Sequence, residues 1–99
     1  MKVISFETTR EMREAIDNND YNISKSMVEE LKKKIHYNKP FKIISLYVKD
    51  VDSYLDFDLD PEDFEECLNL SLQNFEKNED YEGCADIINM LEYLKEKNR

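Results

Sequence analysis

The feature that most constrains the fold is a strict alternation of apolar and acidic residues in the stretch SYLDFDLD, residues 53–60. Successive side chains of a β-strand lie on opposite faces of its sheet. Leu55, Phe57 and Leu59 are therefore expected to share one face. The opposite face is expected to carry Tyr54, Asp56, Asp58 and Asp60. The pattern predicts a half-buried strand with an acidic outer face.

A helix start follows this strand directly. Asp60 is a suitable N-cap, Pro61 suits the first helical position, and acidic residues in the first turn are stabilised by the positive end of the helix dipole. The predicted buried stripe of this helix consists of Phe64, Cys67, Leu68, Leu72 and Phe75. After a break near Asn78, the apolar face of a last helix is predicted to carry Tyr81, Cys84, Ala85, Ile88, Leu91 and Leu94. Residues 60–97 are thus expected to form an antiparallel helical hairpin.

Two capping boxes in the first half of the chain predict two further helices. Thr8 with Glu11 marks the start of one helix, and Ser26 with Glu29 marks the start of another. The second helix is expected to end near residues 37–38, because Pro40 biases the residue before it toward an extended backbone.

Two strand patterns flank these helices. Residues 2–6 predict a short strand, and residues 41–50 are rich in β-branched and aromatic residues on both faces, which predicts a strand covered on both sides or partly so. The single glycine and two prolines favour short connections. We therefore expect one α+β domain over residues 1–99, in the order β-α-α-β-β-α-α, with a short antiparallel sheet and a C-terminal helical hairpin.

The charge of the chain is unevenly distributed. The formal net charge is −9, but residues 50–76 contain ten acids and no base, whereas residues 25–49 hold seven lysines against two glutamates. An acidic protein repels nucleic acid and is attracted to basic surfaces. The carboxylates that we expect to contact a partner are Asp56, Asp58, Glu62, Asp63, Glu65 and Glu66.

The sequence contains no recognised motif for a metal, a cofactor or catalysis. The spacing Asp56-x-Asp58-x-Asp60 is superficially that of a calcium loop, but Pro61 stands where glycine is needed and Cys67 stands where a bidentate glutamate belongs. The residues that structural zinc would require in pairs occur singly, at His36, Cys67 and Cys84. We expect a protein that is not an enzyme, with no cofactor, no metal and no catalytic residue, and with both cysteines as core thiols that form no disulfide.

A basic segment, KKKIHYNKPFK at Lys32–Lys42, interleaves lysines with aromatic residues, as RNA-contacting surfaces do. The alternative is a solvated helix face followed by a polar loop, with Tyr37 and Phe41 turned inward. The net charge of −9 favours this second interpretation.

The stretch LSLQNFEKNEDYEGCADIINMLEYL, residues 70–94, resembles the UVR-type helical hairpin of nucleotide-excision-repair proteins and related bacterial adaptors. The matching features are Tyr81-Glu82, the small residues Gly83 and Cys84-Ala85, and then Ile87, Asn89 and Leu91. The resemblance implies a hairpin that makes protein–protein contacts. Where the family usually has Arg-Asp, this chain has Ile88-Asn89. In composition the chain also looks like the small acidic proteins that are common in phage genomes.

The first functional hypothesis is a small cytoplasmic inhibitor or regulator that binds a nucleic-acid-binding protein through its acidic face, as an anti-defence or anti-CRISPR-like phage protein would. Its partner would be a basic protein, and neither direct DNA binding nor membrane contact is expected. The N-terminus lacks the apolar core of a signal peptide, which favours the cytoplasm, that of the host if a phage encodes the chain.

Three alternatives stay open. A UVR-like adaptor or self-associating module, forming a homo-oligomer, would depend on exposed apolar residues of the hairpin at Leu70, Met90 and Tyr93. An RNA-binding protein would use Lys32–Lys42. An acidic face that only keeps the chain soluble would need no partner.

Overall fold

The computed structural model describes residues 2–97, and the predicted domain boundaries at residues 1 and 99 lie outside them. These residues form three strands and four α-helices in the predicted order, with two short 3₁₀ turns. The elements are β1 (Lys2–Phe6), α1 (Thr9–Asp17), α2 (Tyr21–Lys34), a 3₁₀ turn (Ile35–Tyr37), β2 (Phe41–Val48), β3 (Ser53–Leu59), a 3₁₀ turn (Pro61–Asp63), α3 (Phe64–Lys77) and α4 (Tyr81–Lys97).

The three strands form one mixed sheet in the order β1-β2-β3. β2 and β3 are antiparallel as predicted, but β1 pairs with β2 in parallel, so the prediction of a purely antiparallel sheet is wrong. The reason is the connection between them, because α1 and α2 return the chain from the end of β1 to the end of the sheet at which β1 began. A helical crossover of this kind joins parallel strands.

The helices cover one face of the sheet, which we call the inner face. It carries Ile44 and Leu46 of β2, each 1% exposed, opposite Phe57 and Leu55 of β3. The expectation that β2 is covered on both sides, or partly so, is confirmed in its weaker form, because on the opposite face Ser45 is 1% exposed and Tyr47 is half-buried. The register shifts between Lys42 and Ile44, and this bulge places two consecutive isoleucines in the core.

The core lies between the inner face, α2 and the hairpin of α3 and α4. In the hairpin, the ring of Phe75 lies against Gly83, so closely that a Cβ atom at residue 83 would come within 2.5 Å of the ring atom Cε2. The two helices therefore approach each other closely at Gly83. The buried face of α4 agrees with the prediction at Cys84 and Leu94 and differs from it by carrying Ile87 and Met90.

The helix starts were predicted with mixed success. Thr8 caps α1 by accepting a hydrogen bond from the amide of Glu11, as expected. The predicted start at Ser26 is wrong, because α2 already begins at Tyr21, where the side chain of Asp20 accepts two backbone hydrogen bonds. Asp60 occupies the expected N-cap position, but its side chain makes no capping hydrogen bond.

Candidate protein-binding surface

Six exposed carboxylates surround the start of α3. We call this group the acidic corner, and its members are Asp58, Asp60, Glu62, Asp63, Glu65 and Glu66. β3 ends directly before the 3₁₀ turn that leads into α3, so the chain itself brings these residues together. Within residues 2–97, none of the six side chains makes a hydrogen bond or an ion pair with another part of the protein. Their negative charge is therefore available to an outside partner.

The structure separates Asp56, the remaining predicted contact residue, from this group. Its carboxylate lies 2.9 Å from the Nζ of Lys42 and also accepts a hydrogen bond from the hydroxyl of Ser45. These two contacts, first Ser45 and then Lys42, lower the pKa of Asp56, and the ion pair raises the pKa of Lys42. Asp56 thus forms an ion pair within the protein, whereas its neighbour Asp58 forms none among residues 2–97, although its charge also helps to raise the pKa of Lys42.

Three members of the acidic corner lie very close together. One carboxylate oxygen from each of Asp60, Glu62 and Asp63 lies within 4.8 Å of the others. All three residues are exposed, and exposed acids of this kind do not by themselves indicate a bound metal. The calcium-loop spacing is not realised, because Asp56 and Asp58 belong to a strand. What the cluster does provide is a strong local concentration of negative charge.

The acidic corner reaches two different depressions in the surface. On one flank, Glu62 and Glu65 border a small depression beside Asn38 and Leu94. On the other flank, Asp63 and Glu66 border a larger and more apolar one. The corner therefore wraps around the start of α3 and does not form a single flat patch.

The larger depression, which we call the apolar groove, runs between β3 and the helices α1, α2 and α3. It consists of two adjoining parts of about 270 Å³ each, which share Asn19, Ile23, Met27 and Leu59. Its walls include Ile16, Phe57 and Leu70, which are 42%, 36% and 53% exposed. Its charged lining residues are all acidic, namely Asp20, Asp58, Asp63 and Glu66.

The groove shows that β3 is less covered than its alternation predicted. The alternation itself is confirmed, since Leu55 and Phe57 pair with inner-face residues of β2. However, Leu55 is 44% exposed because the helices stop short of the outer edge of the sheet. An apolar stripe beside the acids was visible in the sequence, but the gap above it depends on where the helices lie.

The lysines of the basic segment are largely engaged within the protein. The Nζ of Lys32 lies 3.1 Å from a carboxylate oxygen of Asp86, and the Nζ of Lys34 lies 2.9 Å from one of Glu30. Lys42 forms its ion pair with Asp56. Phe41 packs against Phe64, as expected for an inward-facing residue.

Two aromatic residues of the same segment depart from a simple inward arrangement. Tyr37 is 62% exposed, so the expectation that it turns inward is wrong. The 3₁₀ turn that carries it ends at Asn38, which has a left-handed backbone conformation. His36 makes an edge contact with Tyr93, which draws the segment toward α4.

Both cysteines are free thiols. Cys84 is buried in the hairpin core, as predicted. Cys67 is half-buried and lines the apolar groove, and its surroundings raise the pKa of its thiol to about 11, mainly through burial. Neither thiol has the low pKa that a reactive cysteine requires.

Comparison with known proteins gave no match to a family model, to a curated protein or to a solved structure. Among residues 2–97, no helix combines the length and the apolar character needed to cross a membrane.

Proposed function

We propose that this protein is a non-enzymatic binding protein that captures a basic protein partner through the acidic corner. The observation that carries the proposal is the set of six exposed carboxylates at the start of α3, which have no hydrogen-bond or ion-pair partner among residues 2–97. Like charges this close together oppose folding, so a partner that neutralises them gains binding free energy that the free protein lacks.

The partner class that best fits this surface is a nucleic-acid-binding protein. Such proteins carry arginine and lysine side chains that contact phosphates, and clustered carboxylates present those side chains with acceptors of the same charge. A small acidic chain that occupies such a site acts as an inhibitor or regulator of nucleic-acid binding. Cytoplasmic location and an anti-defence role in a phage are parts of this same proposal.

The ion pairs of the basic segment favour this proposal over RNA binding. Lys32, Lys34 and Lys42 each already hold a carboxylate of the chain. RNA would have to compete with those carboxylates, and the net charge of −9 would oppose its approach.

A second candidate function is supported by α4. Tyr81 and Ile88 are 68% and 46% exposed and lie seven residues apart, on one side of the helix with the exposed Ala85. This apolar stripe supports an adaptor or self-associating hairpin. Of the contacts expected from the sequence, Leu70 is exposed, Tyr93 is half-buried and Met90 is buried. The test is the molar mass in solution of wild type and of Ile88→Lys. A dimer that the substitution dissociates supports this function, and a concentration-independent monomer contradicts self-association.

The test of the acidic corner compares two variants of equal charge. The corner variant carries Asp63→Asn, Glu65→Gln and Glu66→Gln. The control variant carries Glu79→Gln, Glu82→Gln and Glu92→Gln, at exposed residues outside the corner. Each protein is tagged and used to capture partners from a nuclease-treated lysate of the cells in which it is naturally produced, those of the host if a phage encodes it, at low and at high salt.

We expect wild type and the control variant to retain the same partner at low salt. High salt and the corner variant should each release it, because screening and removal of charge weaken the same attraction. The purified partner should then bind nucleic acid more weakly when wild type is added. The proposal is contradicted if the corner variant captures the partner as well as wild type does, or if adding wild type leaves the partner's nucleic-acid binding unchanged.

A further inference from the structure

β3 is an edge strand whose outer side is free. The sheet order is β1-β2-β3, so within residues 2–97 the backbone of β3 pairs with another strand only on the side of β2. An unpaired edge of this kind exposes backbone donors and acceptors to which another extended segment can bind.

β2 pairs with one edge of β3, so the residues of β2 indicate which kind of strand suits the other edge. Ile44 lies opposite Phe57, so an apolar residue meets an apolar residue on the inner face. On the other face, Lys42 lies opposite Asp58 and binds the carboxylate of Asp56. β2 therefore complements β3 with apolar residues on one face and a basic residue on the other.

The outer edge of β3 offers the same pattern without a complement. On the inner face, Leu55 and Phe57 are 44% and 36% exposed, and Phe57 lines the apolar groove. On the other face, Asp58 makes no ion pair within residues 2–97. An added strand with apolar side chains on one face and basic side chains on the other would cover the first pair and neutralise the acid.

The charges on β3 also select against a second copy of the chain. Pairing of β3 with its own copy would place acidic residues on both strands, which is unfavourable for directly opposed residues. β1 is poorly suited as well, because its one base, Lys2, faces the same side as Ile4 and Phe6. The edge thus repels copies of itself and accepts a strand of opposite charge.

We propose that the outer edge of β3 binds an extended segment of the partner protein in which basic and apolar residues alternate. This inference rests on the proposed function for the sign of the partner's charge, and it adds the binding mode. The apolar residues of the segment would lie over Leu55 and Phe57, and its basic residues would lie beside Asp58 and continue toward the acidic corner.

Three synthetic peptides test the binding mode. The first alternates lysine and valine, the second has the same composition at helical spacing, and the third is the first peptide with alternate backbone nitrogens methylated. Methylation removes hydrogen-bond donors and keeps the charge. The proteins compared are wild type, a variant with Leu55→Thr and Phe57→Thr, and Val3→Thr, a matched control at an exposed residue of β1.

We expect the alternating peptide to bind wild type and Val3→Thr equally. Its affinity should fall at least about tenfold on methylation and in the Leu55→Thr, Phe57→Thr variant, a loss of ~1.4 kcal/mol. Hydrogen exchange of amides in residues 53–59 should slow when it binds. Equal binding of the methylated peptide, preference for helical spacing, or no binding of any peptide overturns the inference.

The outcomes for the two proposals differ. If all three peptides bind equally and all weaken in high salt and in the corner variant, strand pairing is overturned and the acidic-corner function is supported. If only the alternating peptide binds, and neither salt nor the corner variant affects it, the edge site is supported and the acidic-corner function is overturned.

Discussion

The Nζ of Lys42 lies 2.9 Å from a carboxylate oxygen of Asp56, beside the point where the pairing of β2 with β3 is irregular. Among the acidic residues of this stretch, Asp56 thus has a structural role within the sheet, whereas the carboxylates of the acidic corner are available to a partner. Asp56 stabilises the contact between two strands, whereas the six residues of the acidic corner are exposed and their side chains make no hydrogen bond or ion pair among residues 2–97.

The first prediction concerns Asp56. Replacement by Asn should lower the free energy of unfolding, because Lys42 and Ser45 lose their charged acceptor, and should leave partner affinity unchanged. The pKa of Asp56 is lowered from its ordinary value of 3.8, so this contribution is present above that pH and is lost as the pH falls through the folded-state pKa.

Urea denaturation of wild type, Asp56→Asn and Asp58→Asn at neutral and at acidic pH checks this prediction. Asp58→Asn is the control, because Asp58 makes no ion pair within residues 2–97. The difference between wild type and Asp56→Asn should shrink at acidic pH. Equal stability of wild type and Asp56→Asn at neutral pH would show that the ion pair has no structural role.

The second prediction concerns Phe75 and Gly83. Phe75 is 3% exposed, and Phe75→Ala should cost about 3–5 kcal/mol of stability because a large buried side chain is lost. Gly83→Ala should also destabilise the protein, since its Cβ would collide with the ring. The double variant Gly83→Ala, Phe75→Leu should lose less stability than the sum of the losses in Gly83→Ala alone and Phe75→Leu alone. Additive costs in thermal or chemical denaturation would contradict the contact.

The third prediction concerns Tyr21 and Asp80. The Tyr21 hydroxyl donates a hydrogen bond to the Asp80 carboxylate, which also accepts one from the amide of Gly83. The bond to Asp80, together with burial, raises the pKa of Tyr21 from 10.0 to about 12. Its stabilisation is therefore fully present below pH 10.0 and is lost as the pH rises toward about 12.

Tyr21→Phe keeps the ring contact with Phe75 and removes the hydroxyl. We expect it to lower stability at neutral pH and to narrow the difference from wild type at about pH 11. Tyr81→Phe, at a residue 68% exposed, is the control and should match wild type at both pH values. A difference between wild type and Tyr21→Phe that does not change with pH would contradict the hydrogen bond.

The fourth prediction concerns the thiols. Cys84 is 8% exposed, and the pKa of Cys67 is raised to about 11, so both should react slowly with a thiol reagent in the folded protein and rapidly in denaturant. Cys67→Ser and Cys84→Ser assign each rate to its residue. Rapid reaction of Cys67 in the folded state, or an intramolecular disulfide, would contradict the described environment.

Local patterns predicted the elements well. The alternation of residues 53–60 and the Asp60-Pro61 helix start identified β3 and the turn into α3, because both signals are contained in short stretches of chain. The start of α2 was missed because Ser26 with Glu29 matched a capping box, although the actual cap is Asp20. Both are local signals, and the sequence alone does not show which one the helix uses.

Long-range relationships were harder to predict. The parallel pairing of β1 depends on the direction of a two-helix crossover. The Lys42–Asp56 pair lies beside a β-bulge, and no residue in this stretch is typical of a bulge. The face of α4 was predicted correctly at Cys84 and Leu94 but not at Ile87, because Ile87 and Ile88 offer two adjacent apolar stripes and packing against α3 selects Ile87. The groove beside β3 likewise arises from where the helices end.

The most direct test of the central claim is the affinity of the captured partner for wild type, the corner variant and the control variant, measured by calorimetry over a range of salt concentrations. We predict that the corner variant binds at least about tenfold more weakly at low salt, a loss of ~1.4 kcal/mol, while the control variant matches wild type. Wild-type affinity should fall as salt rises, and that of the corner variant should fall less steeply. Equal affinities of wild type and the corner variant at every salt concentration would contradict the claim that the acidic corner binds the partner.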